Sequence, residues 1–280
     1  CSVQIMLQKS GCGPLSACLF VLIVKLVPRT PAVLLFGFLL AIFGWIAFRR
    51  RCLPNVGRQR WAVSVLLWAV WSAVFLDWSA IENCCRAPAL IPNAPIVCIG
   101  DSLTDGMWPD EGYPAQLASM IAVPVINQGI SGISTNQALG QMDRVLSVRP
   151  QVVVIEVGGH DFLKGHGRSN AKRNLVEMIR LSRAAGAEVV LMEIPRGFIV
   201  DPFASLEREI AYQHDVQLVP DTWLRQIVLM SPIAPPGKWM PDHQLSDDGI
   251  HSNPRGSKAI AVRVADALRA LYGDAVMKSP

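Results

Sequence analysis

Ser102, Asp248 and His251 have the residue types for nucleophilic catalysis. Ser102 stands in GDSLTDG (100–106), and His251 closes DDGIH (247–251). A serine hydroxyl is a weak nucleophile until an adjacent base takes its proton, and an imidazole can be that base. Asp248 precedes His251 by three residues, so one turn can bring a carboxylate to the ring N–H. That contact fixes the tautomer and stabilises the imidazolium. Asp247, at spacing four, is a rival for the same role. The chemistry such a set performs is attack on an acyl carbonyl, with the acyl group passing to the serine.

A second cluster is EVGGHDFLKG (156–165), where His160 adjoins Asp161 and His166 comes soon after. His160 could be a base, a metal ligand or a hydrogen-bond donor. The spacing of His160, Asp161 and His166 matches no helical H-x-x-x-H pair, and no third strong ligand is apparent. No metal and no cofactor are expected. Asp161 is expected to bond neighbouring backbone N–H groups. His166, His214 and His243 read as surface or loop histidines.

Residues this far apart need a scaffold that gathers them. Apolar, β-branched runs at 95–99, 123–127, 151–157, 187–194 and 215–220 read as strands. Between and after them, 113–122, 134–148, 170–185 and 253–273 read as helices, the last with Asn253 as cap and Pro254 in its first turn. Near-continuous apolar strands such as QVVVIEV belong in a sheet buried on both faces. Strand–helix alternation implies an α/β fold with a parallel sheet and helices on both sides. In such folds ligands bind beyond the carboxyl ends of the strands. GDSLTDG, NQGISG (127–132) and GGHD (158–161) each come after a strand, and DDGIH precedes the last helix. Four polar clusters should therefore meet at one edge. The Pro-rich, partly apolar stretch 229–246 lies just before DDGIH and is expected to form one wall of an acyl pocket. The α/β-hydrolase elbow is excluded, because it needs G-x-S-x-G and the chain has none.

GDSLT, NQGISG, GGHD and DGIH occur in the order and approximate spacing of the SGNH (GDSL) hydrolase family. Residues 94–273 resemble its bacterial thioesterase–lysophospholipase branch. The resemblance implies a three-layer α/β/α flavodoxin-like fold and ester or thioester hydrolysis through an acyl-enzyme. It implies that Ser102 is the nucleophile and also gives one oxyanion N–H, that Gly132 gives a second, and that Asp248 and His251 complete the triad. Asp101, Asn127 and Asp161 are expected to support the site. The departure is at 160, where the family usually has an asparagine donating its side-chain amide. An imidazole N–H can donate there instead, and an imidazolium more strongly. Acyl transfer onto a glycan, or a non-catalytic binding module of the same fold, are the alternatives.

The rest of the chain bounds where this chemistry takes place. Hydrophobic residues make up 51% and charged residues 17%, against roughly a quarter charged in ordinary soluble domains. The apolar excess sits at the front. PAVLLFGFLLAIFGWIAF (31–48) and WAVSVLLWAVWSAVFLDWSAI (61–81) are long enough to span a bilayer, and 13–27 is a weaker third stretch. Between the two spans lie Arg49, Arg50, Arg51, Arg58 and Arg60, which hold the loop in the cytoplasm and send the chain beyond residue 81 to the other side. The organisation expected is a membrane anchor at 1–81, a linker at 82–94, a catalytic domain at 95–273 and a tail at 274–280. The location expected is a bacterial inner membrane with the catalytic domain facing the periplasm or exterior. The partners expected are an acyl ester and the lipid bilayer. Nucleic acid is not, since nine Lys/Arg against two Asp/Glu precede residue 96 and 17 against 20 lie after it, so the domain carries no basic excess. Cys98 reads as a buried apolar residue in a strand. With that orientation Cys84 and Cys85 are expected in a compartment that permits disulfides, and the sequence does not say whether they pair.

Overall fold

The computed structural model describes residues 89–108, 110–194, 196, 202, 203, 205–221 and 251–278. The chain divides between Ala80 and Ile81 into two units, and these residues belong to the second. The expected spans at 13–27, 31–48 and 61–81, and Cys84 and Cys85, lie outside the described residues. No helix among the described residues is long and apolar enough to cross a membrane.

Five strands, β1 (Ile96–Gly100), β2 (Val125–Asn127), β3 (Val152–Glu156), β4 (Glu188–Met192) and β5 (Gln217–Val219), form one sheet in the order β2-β1-β3-β4-β5. Every neighbouring pair is parallel. β1 and β3 are buried at each of their residues, as their unbroken apolar runs require. Side chains alternate across the sheet. Ile96, Cys98, Val152, Val154, Val190 and Met192 pack on one face against α2 (Gly112–Met120) and α8 (Pro254–Tyr272). Val97, Ile99, Val153, Ile155, Val189 and Leu191 face the opposite layer. That layer holds α4 (Met142–Ser147), α6 (Arg168–Ala184) and α7 (Leu206–His214). Three layers around a sheet of order 2-1-3-4-5 place the topological switch between β1 and β3, where GDSLTDG and GGHD leave the sheet.

α8 conforms closely to its sequence signals. Asn253 Oδ1 accepts from the N–H groups of Arg255 and Gly256, both at 3.0 Å, and the helix ends at Gly273 with φ +69°. Ile260, Val264, Leu268 and Leu271 recur at helical spacing and are buried. The segment 134–148, expected as one helix, is two: α3 (Thr135–Leu139) and α4. Gly140 ends the first, and Gln141 N–H closes a tight turn on Ala138 O at 2.9 Å. An interior glycine costs about 1 kcal/mol relative to alanine, enough to favour a break once each half is packed.

The domain also extends past its expected edges. Residues 274–278, expected as a tail, start in a 3-10 turn that buries Val276, and Lys278 N–H bonds Met120 O at 2.9 Å. The end of the linker is pinned as well: Gln151 accepts from Ile91 N–H and donates to Ile91 O, each at 2.9 Å. Cys98 is free, fully buried in β1, and burial pushes its thiol up to about 12. It is a core residue with no thiolate to react at neutral pH.

Candidate active site

The nucleophile turn is built on the end of β1. The short helix α1 (Ser102–Asp105) starts immediately beyond the strand, with Asp101 as its cap. Asp101 Oδ1 accepts from Leu103 N–H at 3.2 Å, and its carbonyl accepts from Asp105 N–H at 2.8 Å. As the first helical residue, Ser102 directs its N–H away from the helix, where no intrahelical acceptor exists. Gly100 is required by close approach, because a Cβ there would overlap Thr104 Oγ1 and Glu156 Oε2.

His251 reaches this turn from the segment ahead of α8. Its Nε2 lies 2.8 Å from Ser102 Oγ, across 149 positions of sequence. Ser252 and Ser257 hold the start of α8 through a 2.8 Å bond between their hydroxyls, and Ser257 also bonds the buried Asp110 carboxylate. Asp247, Asp248 and the 229–246 stretch, the expected wall of the acyl pocket, lie outside the described residues.

The loop after β2 comes to the same edge. Asn127 accepts from Gly129 N–H through Oδ1 and donates to Thr104 O through Nδ2, both at 2.8 Å, so it ties this loop to the nucleophile turn. Asp105 Oδ2 accepts from Ser131 N–H at 2.9 Å and Ser131 Oγ at 2.6 Å. On the other side, Lys164 Nζ donates to Gly132 O at 2.9 Å. Gly132 itself has φ +79°, a conformation open to glycine at little cost.

After β3 the chain turns at Gly158, φ +130°, into the short helix α5 (Gly159–Leu163) that carries His160 and Asp161. The His160 ring stands beside Gly132: a Cβ added to that glycine would lie 4.0 Å from His160 Cε1. Asp161 points the other way. It is 1% exposed and accepts from Thr135 N–H at 2.6 Å and Thr135 Oγ1 at 2.8 Å, with His166 Nδ1 at 3.3 Å. It therefore fixes α5 to the start of α3. His160 faces the nucleophile edge while its neighbour anchors the helix behind it.

Several supports carry no motif. Arg196 bonds Gly158 O at 3.1 Å and forms a buried ion pair with Glu207. A Cβ at Gly158 would overlap that guanidinium, so the glycine serves both a turn and a close contact. Glu156, the last residue of β3, is fully buried under the nucleophile turn. Its Oε2 accepts from Asp101 N–H at 3.1 Å and Thr104 Oγ1 at 2.9 Å. The signal for Glu156 was a lone carboxylate inside QVVVIEV; the signal for Asp105 and Lys164 was absent, since both are ordinary charges until the loops close.

Burial raises the Asp101 carboxyl, partly offset by its bond from Leu103 N–H and by the attraction of His160 and His251. Burial raises Glu156 well above the usual carboxyl range, and the neighbouring Asp101 adds to it. A shallow groove of about 450 Å³ runs beside the nucleophile turn, lined by Asp105, Trp108, Glu111, Pro114 and Asn127.

Ser102 and His251 at hydrogen-bond distance form an arrangement suited to acyl transfer. Residues 98–259 match the model of the GDSL-like lipase/acylhydrolase family. An arylesterase of Vibrio mimicus is 32% identical over 197 residues, covering 66% of this chain and 92% of the relative. The thioesterase 1/protease 1/lysophospholipase L1 of Escherichia coli K12 is 30% identical over 186 residues, covering 63% and 84%. A crystal structure of TesA superposes with a TM-score of 0.53 at 26% identity, covering 63% of this chain and 99% of that one. The family match runs from within β1 into α8 and takes in Ser102, Gly132, His160 and His251; the chain belongs to the GDSL-like lipase/acylhydrolase family and is an ester-hydrolysing enzyme.

Proposed function

We propose that the chain hydrolyses small acyl esters or thioesters through an acyl-Ser102 intermediate. The observation that carries this reading is the 2.8 Å contact between His251 Nε2 and Ser102 Oγ. Nε2 takes the hydroxyl proton as Oγ attacks the carbonyl carbon. The C=O π pair moves to oxygen, and that oxyanion is received by the N–H groups of Ser102 and Gly132 and by the His160 ring. Collapse expels the alcohol or thiol, which takes the proton from His251. Water then repeats the sequence on the acyl-enzyme and releases the acid. Asp248 is assigned to the His251 Nδ1 side, on sequence grounds. The exposed Met107 and Trp108, after α1, and Leu163, at the end of α5, favour an acyl group with apolar character.

The test is labelling of the full chain with an alkyl phosphonate ester, then hydrolysis of a p-nitrophenyl acyl ester. Stoichiometric label on the Ser102 peptide with parallel loss of activity is expected. Label on another residue, with activity lost, would reassign the nucleophile.

We also propose that the apolar segments 31–48 and 61–81 tether the domain to a bacterial inner membrane, with the domain on the non-cytoplasmic side. The arginines between the two segments support this. Spheroplasts treated with protease should lose the catalytic domain while cytoplasmic markers survive. Protection of the domain until lysis would reverse the orientation.

A further inference from the structure

Glu156 is the one fully buried carboxyl among the described residues that lies directly beneath the nucleophile turn and takes no part in the acyl-transfer steps. Its Oε2 holds the turn through Asp101 N–H and Thr104 Oγ1, at 3.1 and 2.9 Å. Its Oε1 is buried and receives no donor. The side-chain neighbour it could bond is the carboxyl of Asp101, itself buried. Two buried carboxylates this close together repel unless one of them holds a proton. The Glu207 carboxyl, equally buried, has Arg196 as its cation; among the described residues, Glu156 has no guanidinium or ammonium against it in any hydrogen bond. The titratable groups around it are Cys98 on β1, Tyr113 on α2, Asp101 at the cap of α1, and, acting on Asp101, His160 on α5 and His251 before α8. Cys98 and Tyr113 are uncharged at neutral pH, each being raised by burial.

We propose that Glu156 is a positioning residue for the reaction, protonated in the native state, that seats the nucleophile turn through Oε2 and donates its proton to the Asp101 carboxylate. The pair then carries one negative charge rather than two. That charge resides on Asp101, where both His160 and His251 feel it. An imidazolium formed at His251 when it takes the Ser102 proton is stabilised by this buried carboxylate, in addition to its own acidic partner. Burial and the Asp101 charge, which together hold Glu156 well above the ordinary carboxyl range, agree with this placement of the proton.

This role rests on the assignment of Ser102 and His251, and its test separates the two. In the full chain at pH 7, the infrared carbonyl stretch of a protonated carboxylic acid should be present, persist in Ser102→Ala and disappear in Glu156→Gln. Glutamine keeps the Oε acceptor and offers an N–H where the acid proton sits, so Glu156→Gln should hold kcat within about threefold of wild type. Glu156→Ala, which leaves Thr104 Oγ1 without its carboxyl acceptor and Asp101 N–H with the backbone carbonyl of residue 156 alone, should lower kcat about thirtyfold with a smaller change in KM. Asp101→Asn should move the acid limb of the kcat/KM profile to lower pH, because it removes a negative charge near the base, while Glu156→Gln should leave that limb in place. A group raised on folding weakens stability as pH climbs from its unfolded value toward its folded one, so Glu156→Gln should gain thermal stability over wild type progressively above about pH 4.3 and gain nothing below it. The role is overturned if the acid band is absent in wild type, survives in Glu156→Gln, or if Glu156→Gln shifts the acid limb as Asp101→Asn does. Full activity in Ser102→Ala with the band intact would instead overturn the nucleophile assignment alone.

Discussion

Ser102→Ala is expected to lower kcat by about 10⁴–10⁶-fold while leaving the thermal midpoint within a few degrees of wild type. The size comes from what the hydroxyl does. In the proposed mechanism, removing Oγ removes the acyl-enzyme itself, so the reaction must proceed by direct attack of water. The 2.8 Å bond that Ser102 Oγ donates to His251 Nε2 is lost at the same time, leaving the base with nothing to deprotonate at that point. The effect on stability is small because Ser102 is only half-buried and makes its backbone contacts as the first residue of α1, where alanine is also tolerated. Steady-state hydrolysis of a p-nitrophenyl ester and a melting curve of the same preparation give both quantities. A loss under tenfold with folding intact would assign the nucleophile elsewhere.

The approach of His251 to Ser102 was readable in sequence because one block follows a strand and the other precedes the last helix, at the same edge of the sheet. The strands were readable for a different reason. β1 and β3 are covered on both faces, and that forces unbroken runs such as VVVIE. Helix α8 was readable from its ends, Asn253–Pro254 and Gly273. The features that escaped sequence reading depend on partners distant along the chain. GGHDFL carries two adjacent glycines and reads as a loop; it becomes α5 because Arg196 grips Gly158 O and Asp161 is bonded to Thr135. The 3-10 turn after α8 carried no cap signal, and its burial comes from contact with the end of α2. Glu156 carries no sequence signal beyond being the one charge in QVVVIEV. Its meaning appears only when Gly100, Thr104 and Asp101 of the adjacent strand and turn are brought against it.

His160→Ala is expected to lower kcat about 10²–10³-fold with little change in KM. The effect begins with position. α5 presents the ring beside Gly132, with Cε1 4.0 Å from where a Cβ on that glycine would stand, and Gly132 lies on the loop that Asp105 and Lys164 clamp from opposite sides. A donor there meets the carbonyl oxygen only weakly in the bound ester, because the oxygen carries little charge. It meets it strongly once the oxygen has become an anion. An interaction that strengthens between ground and transition state appears in kcat and not in KM. The family's usual asparagine makes a direct comparison available. His160→Asn restores an N–H donor on a shorter side chain and should recover most of the activity that His160→Ala loses. His160→Gln, with a longer reach, should recover less. Equal kcat for wild type and His160→Ala would remove the ring from the oxyanion site, and an increase in KM alone would make it a contact to the bound substrate.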